Sequence, residues 1–588
     1  MQFRLNDDVK FILDQLNKNG TGFLVGGALR DLILGKDPGD YDFATDIDYK
    51  NLKKIFRNYN PKEVGAHFGI LMINVNGKEY EIAKFRQESG IYNSRYPKMI
   101  RFIHNVELDL ERRDFTINAL AYSEGAGLKD LYGGVSDIKN GIIKFVGNPK
   151  LRIEEDSLRI MRAFRFISKL GFKLDKKTSE AIFEKRRFLN KISKERIFDE
   201  LKKILLGKYV KKALIEMKKL GILELIIPEF RYVYNMYVNK ENLFKKIIKT
   251  VELSENELIT KLASLFCNLG MVNTETINAK GVISYEGYER ESMVIAENHL
   301  KYLKASNEII CSVKKIVRNS VLLYENPTKK ELKKLILDFG DKNIGRLFNL
   351  MNSELKARKI TPKKNIENLN DLKNRVEEIR DEGSVIGIKE VDVTGVDLIN
   401  LKFESKSIGK LKSEVYELIL DEKLRNKKRE IIDYLLKKYK NGYKLQNEKS
   451  CGAVIYNKNL EKYLIVKMYN GNWGFPKGHV EEGETEIETA IREVKEETDI
   501  DIQIKDSFRE TISYIPNEKT IKEVVFFLGI VNSEKLEIDT EEIEDFKWCT
   551  CEEALKLITY KVQRDVLEKV SKHIKYQEEK ENKILWYI

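Results

Sequence analysis

Two sets of carboxylates, one near each end of the chain, have the residue types and spacing that phosphate-anhydride chemistry requires. Leu24-Val25-Gly26-Gly27-Ala28-Leu29-Arg30-Asp31 is followed by Gly39-Asp40-Tyr41-Asp42. A Gly-Gly pair between an extended segment and a helix lets the backbone approach a ligand closely. The helix start then offers its N–H groups to a triphosphate. Asp40 and Asp42, two apart on an expected strand, project from one face. With Glu81 they suit a pair of Mg²⁺ ions, one activating an attacking 3′-oxygen and the other stabilising the leaving pyrophosphate. At the other end stand Gly478, Glu484 and Arg492-Glu493-Val494-Lys495-Glu496-Glu497. Glu493, Glu496 and Glu497 fall at i, i+3 and i+4 of a helix, where they can hold Mg²⁺ or Mn²⁺ against a pyrophosphate. That arrangement suits metal-activated water attacking phosphorus.

The elements that must position these groups are legible in outline. Phe23-Leu24-Val25 reads as a strand, Ala28 to Leu34 as a helix, and Tyr41 to Ala44 as a second strand. Ile70 to Val75, Asn76-Gly77 and Lys78 to Phe85 predict a hairpin with a type I′ turn, which places Glu81 on the returning strand. From about 150 to 440 the pattern is amphipathic helix. Residues 440–449 (Lys-Asn-Gly-Tyr-Lys-Leu-Gln-Asn-Glu-Lys) read as a linker, after which strand patterns return at Cys451–Tyr456 and Tyr463–Lys467. The expected domains are a catalytic head at 1–150, helical segments at 151–270 and 271–440, and a second catalytic domain at 449–580.

Bulk properties narrow the classes of partner. A chain of 588 residues is long enough for about three to five domains. No apolar run reaches membrane-spanning length and the start has no secretory pattern, so a cytoplasmic protein without membrane contact is expected. Five cysteines without a CxxC favour a reducing compartment. The net charge of +12 is unevenly spread, since residues 449–588 carry 21 Lys/Arg against 29 Asp/Glu. The basic remainder suggests a polyanionic partner, and the acidic part small metal-bound substrates. No stable protein partner is inferred.

The order Gly-Gly, Asp-x-Asp resembles the nucleotidyltransferase superfamily shared by DNA polymerase β. In detail it resembles the class II tRNA nucleotidyltransferases, the CCA-adding enzymes, with bacterial poly(A) polymerases as close relatives. Further motifs follow in order: Glu81-Ile-Ala-Lys-Phe-Arg86, Arg112-Arg113-Asp114-Phe115-Thr116-Ile-Asn118, Asp130-Leu-Tyr-Gly-Gly134, and Glu155-Asp156-Ser-Leu-Arg159-Ile-Met-Arg162-Ala-Phe-Arg165. If Glu155–Phe166 is one helix, Asp156, Arg159 and Arg162 share a face. A carboxylate and a guanidinium there match the amine and ring nitrogen that cytosine and adenine present, and mismatch uracil and guanine. The resemblance implies that Gly26, Gly27 and Arg30 contact the triphosphate and Arg113 the sugar-phosphate. It also implies that Arg162 and Arg165 complete the nucleotide pocket, and that Ile91–Phe102 forms a loop used in switching from C to A. Leu262-Ala-Ser-Leu-Phe-Cys267-Asn268 stands where some relatives carry a His-Asp metal pair, so this helical region reads as a non-catalytic RNA scaffold.

Residues 478–500 fit the Nudix box except for Asp499, where the box has Gly. Trp473 to Val480 resembles the diadenosine tetraphosphate hydrolases. On that resemblance Lys477 and Lys522 neutralise the polyphosphate, and Tyr514 or Tyr560 stacks on adenine. The expected fold is multidomain α/β plus all-α: a polymerase-β-like head, a helical neck, body and tail, and a C-terminal α/β/α Nudix domain. The expected function is bifunctional, with CCA addition to tRNA from CTP and ATP, plus hydrolysis of a nucleoside polyphosphate. The alternative is a poly(A) polymerase with a Nudix module that trims RNA 5′ ends.

Overall fold

In a computed structural model the chain divides into two compact units, Met1–Val385 and Ile386–Ile588. The structure describes residues 2–63, 69–89, 99–279, 281–383, 387–440, 445–517, 519–532 and 542–585. Residues 91–98 of the loop expected to switch from C to A lie outside these.

The first unit opens with a seven-stranded mixed sheet. Its strand order is Lys62–Glu63, Ile70–Val75, Lys78–Lys84, Asp42–Thr45, Gly22–Val25, Ala121–Ser123 and Gly127–Lys129. The expected hairpin is present, with Asn76 and Gly77 at φ 51° and 81°, the two left-handed residues that a type I′ turn demands. Its returning strand runs parallel to Asp42–Thr45, with Asp42 opposite Glu81. The second strand begins at Asp42 itself, so Asp40 lies in the preceding loop. Strand alternation therefore does not by itself place the two aspartates, although the Asp40 charge still acts on Asp42.

The segment expected as one helix across Glu155–Phe166 is two. Pro149–Glu155 starts at an Asn148 cap with proline in its first turn, and Arg159–Leu170 follows. Between them Asp156 is extended at φ −145° and ψ 101°, and its carboxylate accepts the Leu158 N–H at 3.1 Å. A short acidic side chain that bonds nearby backbone competes with the helical ladder, and here it breaks it. The rest of the unit is mainly helical through Asp381, with short two-stranded pairings such as Tyr237–Val238 with Glu241–Asn242, and one apolar core runs from the head sheet into the helices. At the stretch resembling a lost His-Asp pair, the buried Asn268 bridges Glu354 (2.7 Å) and Lys246 (3.2 Å).

The second unit joins the last helices to the C-terminal sheet. Gly395–Asn400, Ile408–Leu420 and Lys428–Tyr439 pack around Val393, Leu398, Val415 and Ile432. Ile515 and Ile521 of the sheet enter that same cluster, and Asn400 donates to the Ile515 carbonyl at 2.9 Å. The sheet order is Trp473–Gly474, Lys462–Met468, Gln446–Asn457, Thr520–Val531 and Gln503–Asn517, with Lys477–His479 and Ile543–Cys549 paired off this path. Gln446–Lys449, expected as linker, already belongs to the long first strand, parallel to Thr520–Val531. Glu486–Thr498 covers one face through Ala490 and Val494. Lys561–Leu585 covers the other through Val566, Leu567 and Val570. This is the expected α/β/α sandwich.

Candidate active sites

Gly26 and Gly27 close the turn from the strand Gly22–Val25 into the helix Gly27–Ile33. Gly26 sits at φ 73°, a backbone conformation that favours glycine, and a Cβ there would lie 3.0 Å from Arg113 Nη1. This turn edges a cavity of about 610 Å³. Gly26, Gly27, Arg30, Asp42, Glu81, Arg113, Asp156, Arg159, Arg162 and Arg165 all line it. Eight arginines and Lys169 face four carboxylates there, a balance suited to a triphosphate and an RNA end. Asp40, of the residues expected at the head site, is not among its lining and faces an adjoining hollow with Pro38, Tyr41 and Tyr80.

Burial raises the Asp42 carboxyl, Arg113 opposes this, and the neighbouring Asp40 charge adds to it. Burial likewise raises Glu81, with Asp42 reinforcing it. Two carboxylates in register, each making the other harder to ionise, form a donor set that a divalent cation would satisfy.

A chain of hydrogen bonds ties the glycine turn to the neck helix. Arg30, only 3% exposed, donates from Nε to Asp31 at 2.9 Å and from Nη1 to Asn118 Oδ1 at 2.7 Å. The Asn118 amide donates to Asp114 at 3.1 Å, and Asp114 accepts Arg162 Nε at 2.8 Å. Burial by itself would raise Asp114, but Arg162, Asn118 and Arg159 hold its carboxyl down at about 2. Arg165 reaches Glu200 at 3.1 Å, and both Arg30 and Arg165 lie over the Phe166 ring.

Arg159 donates from both Nη atoms, to the carbonyls of Arg152 and Arg112 (both 2.9 Å) and to Glu155 (2.7 Å). Asp156 and Arg159 are thus brought to one cavity by a broken helix and long-range bonds, and a shared helical face plays no part. Arg86, Arg112, Asn118 and Arg196 also line the cavity. Three of them stand in the motifs Glu81–Arg86 and Arg112–Asn118, and Arg196 in the further family-like stretch Ile192–Leu201, from which it reaches Asp156 at 3.5 Å.

In the second unit the box helix Glu486–Thr498 starts at a Thr485–Glu488 capping box and ends on Asp499 at φ 52° and ψ 23°. Aspartate tolerates this left-handed position better than most residues, and Lys495 holds its carboxylate at 2.9 Å. Glu493 and Glu497 are buried, while Glu496 is exposed. Arg492 ties the box together, reaching Glu484 (2.7 Å), Glu493 (2.9 Å), Glu496 (2.8 Å) and the His479 carbonyl (2.9 Å). A Cβ on Gly478 would fall 1.9–2.2 Å from the Glu493 carboxylate, so any other residue there would displace that carboxylate from its present position.

As arranged, no trio of acidic, histidine or cysteine side chains closes on a common point among the described residues. The expected convergence is thus divided, with Glu496 paired to Arg492 on the open side and Glu493 and Glu497 on the inner side. Glu497 Oε2 is buried without a partner, and its Oε1 accepts the Lys477 N–H at 3.3 Å. Burial, with Lys477 opposing and Glu493 adding, lifts the Glu497 carboxyl to about 8. An orphaned buried carboxylate oxygen beside a second carboxylate fits a divalent cation. Lys522 stands opposite Tyr514 in the sheet, within electrostatic reach of Lys477 and Glu493. Burial raises the Tyr514 hydroxyl, with Tyr560 adding to it.

Fold and sites define a polymerase-type nucleotidyltransferase head, its helical extension and a Nudix domain on one chain. Comparison with known proteins agrees. Residues 22–144 match the poly A polymerase head domain, 171–233 the probable RNA and SrmB-binding site of polymerase A, and 447–570 the NUDIX domain. The chain thus combines segments similar to a poly A polymerase head, its RNA-binding segment and a NUDIX domain.

Among its relatives, the CCA-adding enzyme of Anoxybacillus flavithermus is 38% identical over 235 residues, 40% of this chain and 57% of that protein. That of Ligilactobacillus salivarius is 37% identical over 259 residues, 43% and 62% respectively. The chain thus spans somewhat over half the length of these curated relatives. The crystal structure of the Bacillus stearothermophilus CCA-adding enzyme in complex with CTP is similar with a TM-score of 0.54 at 24% identity, covering 73% of this chain and 96% of that one. At that identity the likeness shows the fold. No described helix is long and apolar enough to cross a membrane.

Proposed function

We propose that the chain adds CCA to the 3′ ends of tRNA from CTP and ATP, and that its Nudix domain hydrolyses a nucleoside polyphosphate such as diadenosine tetraphosphate. The observation that carries the first part is the in-register pair Asp42 and Glu81 at a cavity walled by eight arginines. The names of the relatives support the CCA assignment.

In this reading residues 1–150 are the head, 151–270 the neck and body, 271–440 the remaining body and tail, and 449–580 the hydrolase. Asp42 and Glu81, with Asp40 close by in charge, hold Mg²⁺, which supplies activation of the 3′-oxygen and neutralises the departing pyrophosphate. Gly26 and Gly27 let the triphosphate lie against backbone, and Arg30 and Arg113 balance its charge. Asp156, with Arg159 and Arg162 behind it, faces the base, and Arg165 closes the pocket over Phe166. In the Nudix domain Glu493 and Glu497 would hold Mg²⁺ or Mn²⁺, which would activate the attacking water, and Glu496, paired with Arg492 here, is the third carboxylate of the set. Lys477 and Lys522 balance the polyphosphate, and Tyr514 and Tyr560 flank the adenine. Five free cysteines suit a reducing cytoplasm.

The test supplies tRNA lacking its 3′ CCA, CTP and ATP, with a generic RNA as control. Growth by three nucleotides on tRNA alone supports the proposal, and unlimited A tails on any RNA would replace it with poly(A) addition. Asp42→Ala should abolish addition and spare hydrolysis, and Glu497→Gln should do the reverse. Loss of both activities from either change would refute two independent sites.

A further inference from the structure

The helices that precede the Nudix domain meet its sheet along one row of residues. Arg429 donates to Asn447 Oδ1 in the strand Gln446–Asn457. Ile521 of the next strand enters the helices' apolar core, and so does Ile515 of the strand beyond. Asn447 lies opposite Ile521 in the sheet register. The neighbouring row is Glu448, Lys522 and Tyr514, again opposite one another. Successive residues of a strand point to opposite faces. The helices therefore hold the sheet immediately behind the side chains that the proposed hydrolase site uses, where Lys522 Nζ stands 3.4 Å from His479 Nε2.

At Tyr514 the strand is irregular. Tyr514 lies opposite Lys522 but Asn517 lies opposite Thr520, so Ile515 and Pro516 together face Ile521. Such a bulge bends its strand and re-aims the adjacent side chains, and proline there offers no N–H to the ladder. The bend is held from outside the sheet. Asn400 Nδ2 donates to the Ile515 carbonyl at 2.9 Å. Asn400 is itself fixed as the last residue of the helix Gly395–Asn400, which Thr394 and Asp397 cap at its start. The buried Asp397 also pairs with the buried Lys428 at 3.0 Å, locking this helix to Lys428–Tyr439.

We propose that Asn400 is a positioning residue of the hydrolase: by holding the bulge it fixes the orientation of Tyr514 and Lys522 towards a nucleoside polyphosphate. The helices ahead of the Nudix domain thereby complete its substrate site. The proposal rests on the hydrolase reading above. Glu493 and Glu497 stand on a different element, the helix Glu486–Thr498, with Arg492 bracing Glu493 at 2.9 Å. Loss of the Asn400 bond therefore weakens capture of the substrate and leaves the reacting centre in place, which separates KM from kcat.

The experiment follows hydrolysis of diadenosine tetraphosphate with Mg²⁺ by the full chain. Asn400→Ala should raise KM by roughly fivefold with kcat within about twofold of wild type, the size of losing part of one base-stacking contact. Asn400→Gln keeps the amide donor and should recover most of that loss. Val415→Ala opens space in the same helical core and should lower the melting temperature with KM unchanged. The fluorine resonance of fluorotyrosine at Tyr514, identified by its absence in Tyr514→Phe, should shift or broaden in Asn400→Ala with no substrate present. A wild-type KM in Asn400→Ala, or an equal rise in Val415→Ala, would overturn the proposal. A wild-type chain that cleaves no diadenosine tetraphosphate would instead defeat that substrate reading. The fluorine resonance then decides alone, and if it is unmoved the positioning role falls.

Discussion

Asp114 shows how much of the head rests on a single side chain. Its carboxylate joins Arg162 to Asn118 and, through Asn118, to Arg30 and the glycine turn. Asp114→Asn leaves Arg162 without its counter-charge and should cost about 2–3 kcal/mol, somewhat below the usual cost of breaking a buried pair because Arg162 is partly open to solvent. The pH dependence has a definite sign. The folded carboxyl lies at about 2, against 3.8 for an ordinary aspartate. Its stabilisation of about 2 kcal/mol is therefore whole above pH 4 and fades as pH falls towards 2. Chemical unfolding between pH 5 and 2 should show the wild type losing more over that window than Asp114→Asn. In the Nudix domain Gly478→Ala would thrust a methyl group into the Glu493 carboxylate. Hydrolysis should fall by about 100-fold or more while nucleotide addition is retained, since small displacements of a reacting group carry penalties of that size.

At the scale of elements, the box helix is specified at both ends by local chemistry. Thr485 caps its start, and Thr485→Ala should lower the stability of the second unit by about 1 kcal/mol. Asp499 ends it in a left-handed conformation that glycine adopts freely. Asp499→Gly loses only the exposed Lys495 pair and should leave the unfolding midpoint equal or raised. Thermal melts of the two variants should thus move apart. The neck behaves differently. Asp156 stops the helix that its neighbours' periodicity predicts, because its own carboxylate captures the Leu158 N–H. Asp156→Ala should extend helicity across the break, and amide exchange at Ser157 and Leu158 would report it.

At the scale of the molecule, the Nudix sheet and the preceding helices are one folding unit. Ile515 and Ile521 sit in the core formed by Val391, Leu398, Val415 and Ile432, while Tyr514 and Lys522, their immediate neighbours, belong to the proposed hydrolase site. A chain ended at residue 440 would leave that core without its lid of sheet residues. Hydrogen exchange over 391–436 should then accelerate strongly relative to the full chain, whereas exchange in the head sheet should not change. Equal protection in both would show that the last helices fold without the sheet.

Much of this architecture was legible in the residues themselves. Asn76-Gly77 dictated a type I′ hairpin because few other pairs accept two left-handed conformations, and that hairpin delivered Glu81. The spacing of Glu493, Glu496 and Glu497 placed them on one helix, since 3.6 residues per turn leaves no other arrangement. Local rules reached no further where long-range contacts compete with them. Strand alternation put Asp40 beside Asp42, yet sheet pairing begins only at Asp42. Helical periodicity joined Asp156 to Arg159, yet carbonyls 7 and 47 residues away hold that arginine. Arg492 dividing the glutamates, and the sheet sealing the core of helices that precede it, are likewise decided by tertiary packing. Sequence determined which groups carry charge and which turns the backbone takes, because those follow from chemistry within a few residues. Only the folded chain decided which charges meet, because that depends on which distant segments exclude water together.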